Sequence, residues 1–288
     1  MPAPVRPLLA VDAPSLMYRA FFALPQSITD EDGHPVNALL GMANLILFAV
    51  ERHDPRAVVL CWGAEAADYR TDAFAAYHAD RPPMPPELER QWRDAPGFFG
   101  AFGWRSESVT DLEADDLLGS LALMETAAGG ETLLFTGDRD MFQCVDDAVT
   151  VLFPRGGKDG PEVVDAPSVR ERYGIEPAQV PDFIALRGDP SDGLPGAKGI
   201  GAKTARDLLR AHETLEGVIA AASKPGAMTP RQAGALTADP QALRAFKDIA
   251  TLRRVELERP ADTPLDRAGA AAAARARGMN RLAERLDG

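Results

Sequence analysis

Leu112-Glu113-Ala114-Asp115-Asp116-Leu117-Leu118 puts three carboxylates into four residues immediately ahead of an apolar run. Leu117, Leu118, Leu121, Ala122 and Met124 continue at a helical period, so the acids fall in the first turn of a helix. Negative charge is favoured there by the helix dipole, so capping alone accounts for one such cluster. A second acidic pair, Asp138-Arg139-Asp140, follows Glu131-Thr132-Leu133-Leu134-Phe135-Thr136-Gly137, which reads as a buried strand ending in a turn. Helix, strand and then carboxylates make half of a parallel α/β unit, whose ligands sit beyond the carboxyl ends of the strands. Two acid clusters on that edge repel one another unless cations lie between them, and a divalent metal site resolves the repulsion.

The rest of the chain agrees with such a unit. Pro7–Asp12 reads as a first strand ending in a carboxylate, and Arg56–Trp62 as a second buried strand. Helices are expected over Ser15–Leu24, Asn37–Val50 and Glu87–Phe102, with a break at Arg81-Pro82-Pro83-Met84-Pro85-Pro86. Glu107–Thr110 is a short strand, and Val149–Phe153 with Glu162–Val164 resembles a hairpin around Gly156–Gly160. Strands alternating with helices predict a mostly parallel twisted sheet with helices on both faces. From Pro177 to about Leu252 only short helices with Gly and Pro turns are expected. Leu252–Leu257 then returns to the sheet edge, and Leu265–Leu286 forms a terminal helix that packs on the core.

Composition narrows the function. The 288 residues carry a net charge of −12, which disfavours a protein that coats DNA non-specifically but not an enzyme with a carboxylate metal site. No apolar run approaches a membrane span and no leader precedes the first strand, so a cytoplasmic protein with no membrane association is expected. Cys61 and Cys144 lack metal-ligand spacing, and the four histidines form no zinc pattern. The first lysine is Lys158, so phosphate binding in the first half must use arginine, backbone N–H groups or metal.

The most specific segment runs from Gly188-Asp189-Pro190-Ser191-Asp192-Gly193 through Lys198-Gly199-Ile200-Gly201-Ala202-Lys203-Thr204-Ala205. Gly199-Ile200-Gly201 allows a hairpin whose backbone can approach a phosphate, and it opens into a helix whose first amides favour an anion. Between Lys198 and Arg210 stand four cations (with Lys203 and Arg206) and one acid, Asp207, a basic spot in an acidic chain. An ordinary helix–turn–helix with solvated lysines would share the Gly-Ile-Gly element alone. Asp189 and Asp192, spaced i, i+3, are able to share a helix face.

Leu9-Ala10-Val11-Asp12, Tyr69-Arg70, Tyr77 to Arg81, Glu113-Ala114-Asp115-Asp116, Thr136 to Asp140 and Gly188 to Ala205 together resemble the bacterial 5′→3′ exonuclease and flap endonuclease family, the stand-alone relatives of the DNA polymerase I 5′ nuclease domain. The resemblance runs from Leu8 to about Val218. It implies an α/β nuclease core over residues 1–176 with a helical arch or clamp over about 69–103. A helix–three-turn–helix DNA-binding domain over 177–250 and a return to the core over 251–288 complete the layout.

The resemblance further implies a structure-specific DNA 5′ nuclease acting on branched or nicked duplex DNA with a 5′ single-stranded flap, in replication and repair. Hydrolysis would use two Mg²⁺ or Mn²⁺ ions about 3.5–4 Å apart. Asp12, Glu113, Asp115 and Asp116 match the ligands of the first ion or its waters, and Asp138, Asp140, Asp189 and Asp192 those of the second. Arg70 and Arg81 match positions that hold a phosphate, and Tyr77, His78, Lys198, Gly199, Ile200, Gly201, Lys203, Thr204 and Arg206 match DNA contacts. A potassium ion on the Gly199–Gly201 carbonyls is implied as well, while protein partners are not. Two departures stand out. Relatives end the second strand in Phe-Asp where this chain has Trp62-Gly63, and they follow the arch tyrosine with a lysine where this chain has His78. A missing ligand implies a looser first metal, lower activity or a Mn²⁺ preference, and it motivates the alternative of a weakened or inactive branched-DNA binding protein.

Overall fold

The computed structural model describes residues 6–155 and 160–288. The first half runs β1 (Leu8–Asp12), α1 (Ala13–Ala23), α2 (Asn37–His53), β2 (Ala57–Trp62), α3 (Asp68–Ala73), α4 (Pro86–Gly100) and β3 (Arg105–Ser108). It continues through α5 (Ala114–Ala127), β4 (Thr132–Phe135), β5 (Val149–Phe153), β6 (Glu162–Val164) and α6 (Ala166–Tyr173). Short helices follow: α7 (Val180–Arg187), α8 (Ala202–His212), α9 (Leu215–Ala222), α10 (Pro230–Ala238) and α11 (Pro240–Ala250). Two more, α12 (Arg267–Arg275) and α13 (Asn280–Asp287), end the chain.

The six strands form one sheet in the order β3-β2-β1-β4-β5-β6, parallel except where β6 runs against β5. β1 and β2 are buried along their whole length, which is why they read as unbroken apolar runs rather than as alternating ones. Alternation appears instead in which layer each residue joins. Leu8 and Ala10 pack with α5 and the helices α7–α11, while Leu9 and Val11 pack with α1, α2, α4, α12 and α13. Helices therefore cover both faces, as the alternating pattern predicted.

α4 is tied to the core through Leu88, Phe98 and Phe99, and the buried amide of Gln91 accepts from the N–H groups of Ala38 and Leu39 at the start of α2, at 2.8 and 3.2 Å. Between α3 and α4 the chain crosses residues 74–85 without regular structure beyond turns, and this segment faces the functional cavity.

Three expectations need correction. The strand expected at Glu107–Thr110 lies at Arg105–Ser108, where it meets β2 in register (Val59 opposite Arg105). Leu252–Leu257 joins no strand: it runs over α5, where Ser120 Oγ accepts from Val255 N–H at 2.8 Å. The terminal helix is two helices, because Gly278 at φ +70° ends the first. The turn of the β5–β6 hairpin falls largely outside the described residues, although the strand pairing itself is present. No helix among the described residues is long and apolar enough to cross a membrane.

Candidate active site

β1 and β4 are adjacent and parallel at the centre of the sheet, so their carboxyl ends open on the same side. Asp12 closes β1 and caps α1, accepting from Ser15 N–H at 3.0 Å. Thr136, fully buried at the end of β4, donates its hydroxyl to Asp12 at 2.6 Å and accepts from Asp138 N–H at 2.9 Å. Asp138 in turn accepts from Asp140 N–H at 2.9 Å. One threonine, which the sequence reading did not single out, thus spaces the acids of two strands. Its position directly after the strand was the available signal.

Seven of the eight acids expected at the site line one cavity of about 950 Å³: Asp12, Glu113, Asp115, Asp138, Asp140, Asp189 and Asp192. Asp116 does not. It is fully buried, and its carboxylate accepts from Arg253 N–H at 2.6 Å, from Tyr69 O–H at 3.3 Å and from Glu113 N–H at 3.3 Å. With Glu113 it forms a reciprocal cap on α5.

Asp189 and Asp192 reach the cavity from a turn after α7 rather than from a helix face, since Asp189 pairs with Leu194 across a short bridge. Gly188 permits this turn at φ +82°, and a Cβ there would meet Leu194 O at 2.6 Å. Asp189 accepts from Ser191 N–H at 2.9 Å and pairs with Arg187 at 3.0 Å.

Burial is the main reason four of the acids, Asp12, Asp115, Asp138 and Asp140, hold their protons more tightly than usual. Asp115 is pushed well up by burial and then by Asp138 and Asp12, and Asp140 by burial and then by Asp138 and Asp192. Asp138 rises to about 6, and burial raises Asp12 as well, against Thr136 and Ser15, which bond its charged form. Their oxygens face across the cavity without closing on a point: among the described residues no three acidic, His or Cys side chains stand close enough to grip an ion as placed. Asp12, Glu113, Asp138, Asp189 and Asp192 are instead engaged by protein donors.

Arg70 is 4% exposed and turned into the protein, 2.8 Å from Glu113 and 3.0 Å from the Tyr77 hydroxyl. Burial opposes its charge, and Glu113, Tyr77, Asp115 and Tyr69 together more than offset this, so the guanidinium stays charged as a fixed counter-ion rather than a free phosphate hook. Arg81 lines the cavity with its side chain 42% exposed, 3.4 Å from Asp192.

His78 is committed internally. Its Nδ1 lies 2.9 Å from the Glu65 carbonyl, its Nε2 3.0 Å from Asp192, and its ring stacks on Tyr77 at 3.7 Å. Both ring nitrogens are thus taken up by protein oxygens.

Gly63 also departs from expectation. It lines the cavity, but a Cβ on it would stand 2.4 Å from Ala114 N and 2.5 Å from Glu113 C. The strand end and the start of α5 touch at a glycine, and no room exists for an aspartate as the backbone stands.

The glycine hairpin lies away from these acids. Gly199 turns at φ +77°, Ile200 is anchored in the core, and Gly201 opens α8, with Lys198 and Lys203 exposed and Thr204 and Arg206 half-buried. Arg206 is held by Asp207 at 2.9 Å. Arg231 of α10, remote in sequence and given away by no local signal, brings its guanidinium to within 3.2 Å of where a Gly199 Cβ would sit.

Residues 7–174 match the family described as 5′-3′ exonuclease, N-terminal resolvase-like domain, and residues 175–270 match the 5′-3′ exonuclease, C-terminal SAM fold. A 5′-3′ exonuclease of Streptomyces coelicolor is 38% identical over 244 residues, 80% of each chain. The thermostable DNA polymerase I of Thermus thermophilus is 41% identical over 212 residues, 74% of this chain but 25% of that protein, so the chain spans about a quarter of such polymerases. Among solved structures, a bacteriophage T5 flap endonuclease in a pseudo-enzyme-product complex with DNA and metal ions covers 98% of this chain and 96% of its own, at TM-score 0.70 and 16% identity. The catalytic core of Rad2 with DNA substrate covers 98% and 91%, at TM-score 0.65 and 14% identity. Both share the fold.

Proposed function

The chain belongs to the 5′-3′ exonuclease family, and from that premise we propose that it is a structure-specific, divalent-metal-dependent DNA 5′ nuclease. It removes 5′ flaps and degrades 5′→3′ by phosphodiester hydrolysis, on branched or nicked duplex DNA, in bacterial replication and repair in the cytoplasm. The observation that carries this reading is the gathering of seven carboxylates from four separate segments around one cavity at the carboxyl ends of β1 and β4.

The donor set fits hard divalent cations. It is all oxygen, partly desolvated, and holds acids whose mutual repulsion a cation relieves. Asp12, Glu113 and Asp115 would hold one Mg²⁺ or Mn²⁺ ion, and Asp138, Asp140, Asp189 and Asp192 a second. When bound, such ions supply Lewis acidity toward a phosphate and charge compensation for its transition state. Thr136 keeps the Asp12 and Asp138 segments in register. Arg81 offers N–H groups to a backbone phosphate in the same cavity. Asp116 acts one step back, fixing the end of α5 from which Glu113 and Asp115 project.

The segment 177–250 serves as the DNA-binding module. The exposed backbone of Gly199 and Gly201, with Lys198, Lys203 and Arg206, grips duplex phosphates without reading sequence. A potassium ion on the hairpin carbonyls is part of the same proposal. A weakened or inactive branched-DNA binder is the second reading, motivated by Gly63.

A substrate panel tests the first: flapped, nicked and plain duplexes, 5′-labelled, incubated in Mg²⁺. Release of flap-length oligonucleotides, fastest from the flapped duplex, is the expected result. Equal cutting of all three would remove structure specificity, and tight binding without cutting would favour the second reading.

A further inference from the structure

Helix α1 leaves the acid cluster as it starts, because Asp12 caps it. Ser15, Tyr18 and Phe22 follow on one face at i, i+3 and i+7, and span about 10 Å of helix. Ser15 and Tyr18 line the carboxylate cavity, and so does Trp92 of α4 on the facing side. Tyr18 stands edge-on to Trp92 at 6.3 Å, and Trp62, buried beneath, holds Trp92 edge-to-face at 4.9 Å. Outward from the cavity, Phe22 lies nearly parallel to Tyr18 at 6.4 Å and is 72% exposed. A lone exposed phenylalanine needs no explanation, but this ring continues an aromatic series that begins inside the acid cavity.

We infer that Phe22, with Tyr18 and Trp92 behind it, forms a track on which unpaired nucleobases of the single-stranded arm stack as that arm leaves the cavity. The inference rests on the nuclease reading of the acids for its substrate class, single-stranded DNA. Every base presents a π-face, so such a track binds without sequence preference. About 10 Å accommodates two or three bases at the roughly 3.4 Å spacing of a stacked strand. Arg81 in the same cavity supplies a cation for the phosphate backbone alongside.

The test measures binding to two 5′-flap duplexes, one with a thymine flap and one with an abasic flap of equal length, in EDTA so that nothing is cut. Wild type, Phe22→Ala and Phe22→Tyr are compared, with tryptophan fluorescence as a second readout. Phe22→Ala is expected to weaken thymine-flap binding on the order of tenfold, with recovery in Phe22→Tyr and little change on the abasic flap. The thymine flap, and not the abasic one, is expected to quench wild-type fluorescence through Trp92. Equal losses on both flaps, or no loss on either, would overturn the track. Selective thymine binding by a wild type that cuts no flap in Mg²⁺ would support the track and defeat the nuclease reading.

Discussion

Gly63→Asp restores the residue that the family pattern has at this position, and sequence alone makes it a gain-of-function change. The structure reverses the expected sign. A Cβ on Gly63 would lie 2.4 Å from Ala114 N, 2.5 Å from Glu113 C and 2.7 Å from Glu113 Cα, all backbone atoms that no rotamer change can move. Overpacking of this kind costs about 1–3 kcal/mol. For a chain of this length that is a fall in Tm of about 2–5 °C. The displaced atoms belong to the end of α5 from which Glu113 and Asp115 reach the cavity, so cleavage should fall as well. Gly63→Ala separates the two contributions: it carries the same Cβ without the charge, and it should lose most of the same stability. The assays are thermal unfolding without metal and flap cleavage in Mg²⁺ and Mn²⁺. A Gly63→Asp protein that melts with wild type and cuts faster would refute the reasoning and show that α5 yields easily.

Other consequences are simpler. Glu125 is fully buried and bonded by Arg56 at 2.9 Å and Arg259 at 2.8 Å, so Glu125→Ala should cost about 3 kcal/mol in chemical denaturation by stranding the buried Arg56 guanidinium. Although burial alone would raise it, those arginines hold the Glu125 carboxyl below its ordinary value of 4.5; its stabilisation is therefore full above that pH and fades as pH falls through the lower folded value. Denaturation curves of the variant and the wild type should converge in acid. Asp138 behaves oppositely: its value of about 6 exceeds the ordinary 3.8, so its ionisation destabilises the metal-free protein above pH 6 and not below pH 3.8. Asp138→Asn should therefore raise metal-free stability at pH 8 by on the order of 1–2 kcal/mol, a gain lost in Mg²⁺. Asp116→Ala, which leaves buried donors unpaired, should lower stability by about 1–3 kcal/mol, whereas Asp115→Ala should abolish cleavage and leave stability unchanged or higher.

The layout was legible because its signals are local. Unbroken apolar runs at Leu8–Val11 and Ala57–Cys61 announce strands covered on both faces, and acids directly after β1 and β4 announce a site at the carboxyl edge. What stayed hidden depends on distance. The burial of Arg70 against Glu113, the withdrawal of Asp116 under Arg253 and the seat of His78 between Glu65 and Asp192 join segments 13 to 137 residues apart. The family pattern, which carries no information on burial, made Arg70 a phosphate hook. Gly63 read as a missing ligand for the same reason, since only the position of α5 reveals that the glycine is what lets the strand and helix meet. The terminal helix was misread because Gly278 looks harmless in an Ala/Arg-rich run until its positive φ is known.

The account stands most directly on cleavage of a 5′-labelled flap duplex by wild type and Asp138→Asn in Mg²⁺, in Mn²⁺ and in EDTA. It predicts flap release by wild type in either metal, none in EDTA, and loss of at least most activity in the variant. Cleavage that persists in EDTA, or in Asp138→Asn at the wild-type rate, would contradict the assignment of this carboxylate cavity as the catalytic centre.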